Sequence, residues 1–283
     1  MEPLPTVDGL QLHLQHWPGP ARSRGTVQIV HGLGEHIGRY AHVAAALNAQ
    51  GWHVAGHDLR GHGRSTGARG RLADSHALLS DVALVHDHLK QALPAGVRVL
   101  LGHSLGGLIA ARFAAEALAG APSTWSRPLD GLVLSSPALQ IDMNGAQRFL
   151  LAVLGPIAPR LGLSNGLDPA WISRDPAVVK AYTDDPLVHD RVTPRMVRFM
   201  VDAGALVLSL APRWRLPTLL MWAGADRCVA PGGSTAFAAA APPAVLTAQA
   251  YPEYFHEIFN EPERAQVLAR VTGWLDRFPP PTP

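Results

Sequence analysis

Ser104 stands in Gly102-His103-Ser104-Leu105-Gly106, between an apolar run that reads as a strand and an Ala-rich run that reads as a helix. A serine on such a sharp turn is held in a strained backbone conformation, its hydroxyl in the open and a helix N-terminus behind it. The flanking glycines are needed where any side chain would meet neighbouring elements. The chemistry this suits is nucleophilic attack. A hydroxyl attacks only when a base takes its proton, so a histidine is required, with a carboxylate to orient it. On this strand–turn–helix arrangement the chain order is serine, acid, histidine. Of the fourteen histidines, only His189 and His256 follow Ser104. His189 falls in a stretch without strand pattern, whereas His256 lies just past the last strand-like run. Asp226 directly follows the apolar run Thr218–Trp222 and precedes His256 by 30 positions, room for one helix and one strand. Asp130, Asp202 and Glu253 lie before a strand, inside a helix, and too near the histidine.

The first buried strand leads into His31-Gly32-Leu33-Gly34, a loop able to face the serine. Backbone N–H groups of Leu33 and Leu105 are then the two donors expected for a tetrahedral oxyanion. A phosphate-cradling Gly-x-x-x-x-Gly-Lys pattern is missing. His53, His57 and His62 have neither helical pairing nor a cysteine nearby, so no metal and no cofactor is expected. Arg60-Gly61-His62-Gly63-Arg64-Ser65 reads as a turn tied by its own hydrogen bonds. Cys228, two residues past Asp226, is expected beside the site without being a nucleophile.

Short strands and helices must position these groups. Leu10, Leu12 and Leu14 alternate with polar residues around Asp8-Gly9, which reads as an antiparallel hairpin. Beyond it, strands at Val27–Val30, Trp52–Ala55, Val97–Leu101 and Leu132–Leu134 alternate with helices near 40–50, after Asp74, and at 106–119. Asp74 is placed to cap a helix whose Leu78, Val82, Val85 and Leu89 share one face. This rhythm predicts an α/β protein with a parallel sheet covered on both faces. Between Gln140 and Leu216 it lapses into helical periodicity, with Thr193-Pro194 starting the clearest helix and Met196, Phe199, Ala203, Val207 and Leu210 along one stripe. That stripe packs on the core or lines an apolar cavity. Strands at Thr218–Trp222 and Val245–Ala250 and helices near 234–240 and 262–275 resume the pattern. The division is thus 1–139 with 217–283 as one unit and 140–216 as a helical insertion, with Pro279–Pro283 frayed.

Composition bounds the rest. The chain has 283 residues, of which 47% are hydrophobic and 16% charged, enough for a large core and too apolar for a disordered chain. Its formal charge is only +2, and no run of Lys or Arg gathers it into a patch, so nucleic acid is not expected as a partner. One cysteine permits no intrachain disulfide, the N-terminus lacks a secretion signal, and Phe149–Ala158 is about half a membrane span. A cytoplasmic protein with no transmembrane segment is expected.

The motifs together resemble the monoacylglycerol lipase-like branch of the α/β-hydrolase superfamily. They are His31-Gly32-Leu33-Gly34-Glu35-His36 with Arg39-Tyr40, Asp58 to Ser65, Gly102 to Gly107, Tyr182 to Leu187, Gly224 to Arg227 and the segment around His256. The resemblance covers nearly the whole chain. It implies a mostly parallel eight-stranded sheet, the inserted helices as a cap over an acyl pocket, and hydrolysis of monoacylglycerols or lysophospholipids without a cofactor. It also implies Ser104, Asp226 and His256 as the triad, Leu33 and Leu105 as oxyanion donors, and Glu35, Arg39 and Tyr182 near the polar end of the pocket, where they could equally hold the loop together. Some members carry a second histidine three residues after the catalytic one, where this chain has Phe259, so glycerol recognition is not implied.

The insertion has seven Asp, no Glu and seven Lys+Arg between Gln140 and Ala211. This balance favours neutral acylglycerols over charged head groups and leaves transient contact of the cap with a lipid surface as an expectation. Asp184 and Asp185 keep an aminopeptidase reading open. An acyltransferase would use the same residues while excluding water. A general carboxylesterase and a non-catalytic binding protein on the same scaffold are further alternatives, though the latter would normally have lost a triad member. Ser104 argues against a dehalogenase or epoxide hydrolase, which use a carboxylate nucleophile.

Overall fold

The computed structural model describes residues 2–72 and 74–278; Pro279–Pro283, expected to fray, lie outside them. Strands β1 (Leu4–Pro5) and β2 (Gln11–Leu12) pair antiparallel around the Asp8-Gly9 turn. Then follow β3 (Leu14–Trp17), β4 (Gly25–Val30), helix α1 (Ala41–Ala49), β5 (Trp52–His57), α2 (Ala77–Ala92), β6 (Val97–His103), α3 (Leu105–Ala115) and β7 (Gly131–Ser135). Between β7 and the next sheet strand lie α4 (Gly145–Ile157), β8 (Leu163–Ser164), α5 (Pro176–Asp184), β9 (Arg191–Val192) and α6 (Pro194–Leu210). The chain returns to the sheet with β10 (Thr218–Ala223), α7 (Pro231–Ala240), β11 (Leu246–Tyr251) and α8 (Arg264–Leu275).

The central sheet has seven strands among the described residues, in the order β11-β10-β7-β6-β4-β5-β3, all parallel except β3 at the edge. This is one fewer than the resemblance implies. The β1–β2 hairpin does not extend the sheet; the backbone beside it is held by the turn at 58–66, with Gln11 N donating to Thr66 Oγ1 at 2.8 Å, Thr66 N to Gln11 O at 3.0 Å and His13 N to Ser65 Oγ at 2.9 Å.

Alternation along the strands splits the core into two layers, apolar residues standing on both faces of the sheet. Val27, Ile29, Val99, Leu101, Val133, Leu219 and Met221 face α1 and α8. Val30, Leu100, Leu132, Leu134 and Leu220 face α2, α3, α6 and α7. Burial on both faces is what a parallel sheet requires.

Two local expectations shift. Asp74 does not cap α2; its Oδ1 accepts from His76 N at 2.7 Å, closing a turn of its own, and the helix starts at Ala77. Residues 140–216, read without strands, contain the short antiparallel pair β8–β9. Two-residue strands are too brief to show alternation. Helix α6 starts as expected, with Thr193 Oγ1 accepting from Met196 N at 3.4 Å, and its Met196–Val207 stripe is buried against the core.

Candidate active site

The site is built at the C-terminal ends of the parallel strands, where loops converge. Strand β6 turns into α3 at Ser104, whose φ of 54° and ψ of −120° lie outside the regions ordinary side chains adopt. The turn is this tight because its glycines admit no side chain. A Cβ on Gly102 would lie 2.3 Å from Gly106 O, and one on Gly106 would lie 2.1 Å from Val30 O. Ser104 N donates to Ser135 O and its carbonyl accepts from Leu108 N and Ala138 N, each at 3.0 Å, which holds the strained residue in place.

His256 follows β11 and Asp226 follows β10, and the three side chains meet. His256 Nε2 lies 2.8 Å from Ser104 Oγ, and Nδ1 lies 2.7 Å from Asp226 Oδ2. The other Asp226 oxygen accepts from Cys228 N at 2.8 Å and Val229 N at 3.0 Å, so the carboxylate is fixed at both ends. A carboxylate only accepts, so Nδ1 carries the ring proton and Nε2 is left to accept from the serine hydroxyl. Burial disfavours a charged His256, but Asp226, by charge and hydrogen bond, outweighs it and raises the imidazole above its ordinary value. Burial likewise opposes charge on Asp226, and His256 with the two backbone donors more than offsets it. His103, whose ring is 4.8 Å from that of His256, is brought to about 4 by burial and then by His256, and so stays neutral.

Across from the serine, the loop after β4 is folded by its own histidine. His31 Nε2 accepts from Leu59 N at 2.8 Å, which leaves Nδ1 to donate to Gly32 O at 2.8 Å. A Cβ on Gly32 would stand 3.2 Å from Ser104 Cβ, a measure of how closely the loop approaches. The N–H groups of Leu33 and of Leu105, at the first position of α3, have no acceptor among the described residues.

Glu35 and Arg39 hold this loop. Glu35 Oε1 accepts from Gly32 N at 2.6 Å and Tyr40 Oη at 2.8 Å, and Oε2 from Arg39 Nη1 at 2.7 Å. Burial pushes this carboxyl up, yet Arg39, with His103, His31 and the Gly32 N–H, holds it at about 2. Arg39 also pairs with both oxygens of Glu257 and lies 4.8 Å from the Tyr182 ring centre. It does not line the cavity, whereas Glu35 and Tyr182 do. Phe259 is buried in the layer beneath α1 and α8 and is not among the residues lining the cavity beside Ser104. Sequence reasoning passed over Glu257; the only signal was an acid next to the histidine.

Two cavities meet here, sharing Leu33, Asn165, Leu167 and Cys228. The first, about 330 Å³, is walled by Ser104, His256 and five carboxylates (Glu35, Asp168, Asp185, Asp190 and Glu257), with no Lys or Arg among its described lining. The second, about 240 Å³, runs between α4 and α6 past Leu150, Leu151, Leu154, Val197 and Met200. Asp226, Cys228 and His256 are the one described set of three possible metal ligands within 4.8 Å, and two of them already bond each other. Cys228 is a free thiol, and burial pushes it well above its ordinary value.

A mostly parallel sheet with helices on both faces, a serine on the strained turn after its central strand, and a histidine and an acid from later loops define an α/β-hydrolase. Residues 21–263 match the family described as serine aminopeptidase, S33 (Hydrolase_4). The chain belongs to that family and is a carboxylic ester hydrolase. It is 35% identical to the monoacylglycerol lipase of Mycolicibacterium smegmatis over 95% of this chain and 94% of the relative. With phospholipase YtpA of Bacillus subtilis it shares 31% over 91% and 97%. The crystal structure of Paleococcus ferrophilus monoacylglycerol lipase superposes with a TM-score of 0.84 at 34% identity, covering 94% of this chain and 99% of that one. Among the described residues no helix is long and apolar enough to cross a membrane.

Proposed function

We propose that this enzyme hydrolyses monoacylglycerols through an acyl-enzyme on Ser104. The observation that carries the reading is the unbroken contact from Asp226 through His256 to Ser104, set where a polar chamber meets an apolar groove. In this mechanism His256 takes the Ser104 proton as the hydroxyl attacks the ester carbonyl, and Asp226 holds the imidazolium. The N–H groups of Leu33 and Leu105 receive the oxyanion. His256 then gives its proton to the leaving glycerol oxygen, and a water it deprotonates releases the fatty acid.

The fatty chain takes the groove between α4 and α6, and residues 140–216 act as a cap. Glycerol takes the chamber lined by Glu35 and Tyr182, Glu35 acting mainly through the loop it ties. The insertion is balanced in charge over its length, but its Asp168, Asp185 and Asp190 line the chamber, Asp185 paired with His36 and Asp190 with Arg191, while no Lys or Arg is among the chamber's described lining. That arrangement disfavours an anionic phosphate head group, so acylglycerols fit better than lysophospholipids. Asp184 and Asp185, the acids available to hold a peptide's free amine, are paired with Lys180 and His36, which favours esters over peptides.

Helix α4 has no buried residue, and its Phe149 and Ile157 are 71% and 77% exposed. This face would rest on a lipid surface while the enzyme stays cytoplasmic. The test is turnover of p-nitrophenyl esters of rising chain length, monoacylglycerols and lysophosphatidylcholine, alongside Ser104→Ala. We expect monoacylglycerols to lead and Ser104→Ala to lose about 10⁴-fold or more and all fluorophosphonate labelling. Retained activity in that variant would remove Ser104 as nucleophile.

A further inference from the structure

We propose that Glu257 is a positioning residue: through Arg39 it locks the loop carrying His256 to the loop that presents the Leu33 N–H. This rests on the roles proposed above for Ser104, His256 and Leu33.

The connection can be followed atom by atom. Glu257 is the next residue after His256, and its two oxygens accept from Arg39 Nη1 at 2.6 Å and Nη2 at 2.7 Å. A two-pronged pairing of this kind fixes the relative orientation of both planar groups, which a single contact does not. The same Nη1 reaches Glu35 Oε2 at 2.7 Å, and Glu35 Oε1 accepts from Gly32 N at 2.6 Å, one residue before Leu33. Asn260 Nδ2 steadies Glu257 Oε2 at 2.8 Å, and Glu257 N donates to Ile172 O at 2.7 Å, so the histidine loop is also tied to the insertion. Side-chain exposures of Glu35, Arg39 and Glu257 are 4%, 12% and 6%. Water therefore screens these pairs little, and losing one partner leaves the others misplaced.

Position is one consequence and charge the other. Proton transfer demands His256 and the oxyanion donors in register to a fraction of an ångström, yet His256 and Leu33 lie 256 − 33 = 223 residues apart in sequence. The bridge through Arg39 joins those loops directly. Two carboxylates and one guanidinium also leave one surplus negative charge beside the imidazole. The titratable groups acting on His256 from the packed elements are Asp226, Glu257 and Glu35, which favour its charged form, and His103, which opposes it. Cys228, also at the cavity wall, stays a neutral thiol.

The test uses the full chain and a soluble p-nitrophenyl butyrate substrate, with active sites counted by fluorophosphonate labelling. Glu257→Gln keeps the shape and loses the charge. We expect kcat per labelled site to fall about tenfold with KM within about twofold, because misplacement weakens the transition state more than binding. The acid limb of kcat/KM should move down by about half a pH unit, since removing a negative neighbour makes His256 easier to deprotonate. Arg39→Lys keeps the charge but not the two-pronged contact, and should lower kcat while leaving the acid limb in place. The Glu35→Gln/Glu257→Gln double variant should lose little more than the worse single variant, as parts of one unit do. A merely structural role would lower Tm or the labelled fraction and leave kcat per site and the acid limb unmoved, and that result overturns the proposal. Wild-type protein that takes no fluorophosphonate at Ser104 would instead overturn the reading on which it rests.

Discussion

The turn at Ser104 with helix α3 behind it and helix α4 are both rich in apolar residues, and they have opposite fates. Around Ser104 every neighbour is committed: the flanking glycines sit against backbone, Ser104 is tied through its own backbone, and α3 buries ten of its residues. Helix α4 is well capped, with Asn144 and Gln147 exchanging hydrogen bonds at 2.9 Å, yet buries none of its residues. One region is rigid because it is over-determined. The other holds its shape locally, turns Leu150, Leu151 and Leu154 to the groove and leaves Phe149 and Ile157 for something outside the chain. Changes at the first should therefore affect every substrate alike, and changes at Phe149 and Ile157 of the second only those that arrive in a lipid phase.

The largest effect after Ser104→Ala is expected from Asp226→Asn. It should cut kcat about 10⁴-fold on soluble and insoluble esters alike, because the amide stabilises the wrong imidazole tautomer. A loss confined to insoluble esters would break the comparison. The Phe149→Ser/Ile157→Ser double variant should weaken binding to neutral vesicles about tenfold or more, since each side chain gains about 1.5–3 kcal/mol on leaving water. Its turnover of p-nitrophenyl butyrate should stay within about twofold of wild type, within the usual range for changes at exposed positions. Equal losses on both substrates would make α4 part of the catalytic scaffold. The smallest effect is in pH. His256 must be neutral to accept the serine proton, and its pKa is raised, so kcat/KM on the soluble ester should fall as pH drops through a value above 6.5. An acid limb below 6.5 would show that burial prevails over Asp226.

Much of this architecture was legible in the linear sequence, for identifiable reasons. The serine turn demands glycines wherever backbone meets backbone, and only glycine satisfies that demand, so the motif is visible residue by residue. Chain order and strand ends were enough to select Asp226 and His256 as the partners that meet Ser104. What stayed hidden was long-range or too short. Asp74 looked like a cap, but its side chain closed a turn two residues on. Strands β8 and β9 are too brief for alternation, and the backbone beside the first hairpin is held by Ser65 and Thr66 more than fifty positions away.

The sequence by itself determined the α/β rhythm, the strained serine and the identity of its two partners, because local sterics and chain order dictate them. Only the tertiary structure decided that Glu35 and Arg39 hold a loop, that Glu257 completes their pairing, and that Asp168, Asp185 and Asp190 come to the wall of one chamber. Net charge and spacing carry no direction, and a buried ion pair exists only once folding has brought its two partners out of water together.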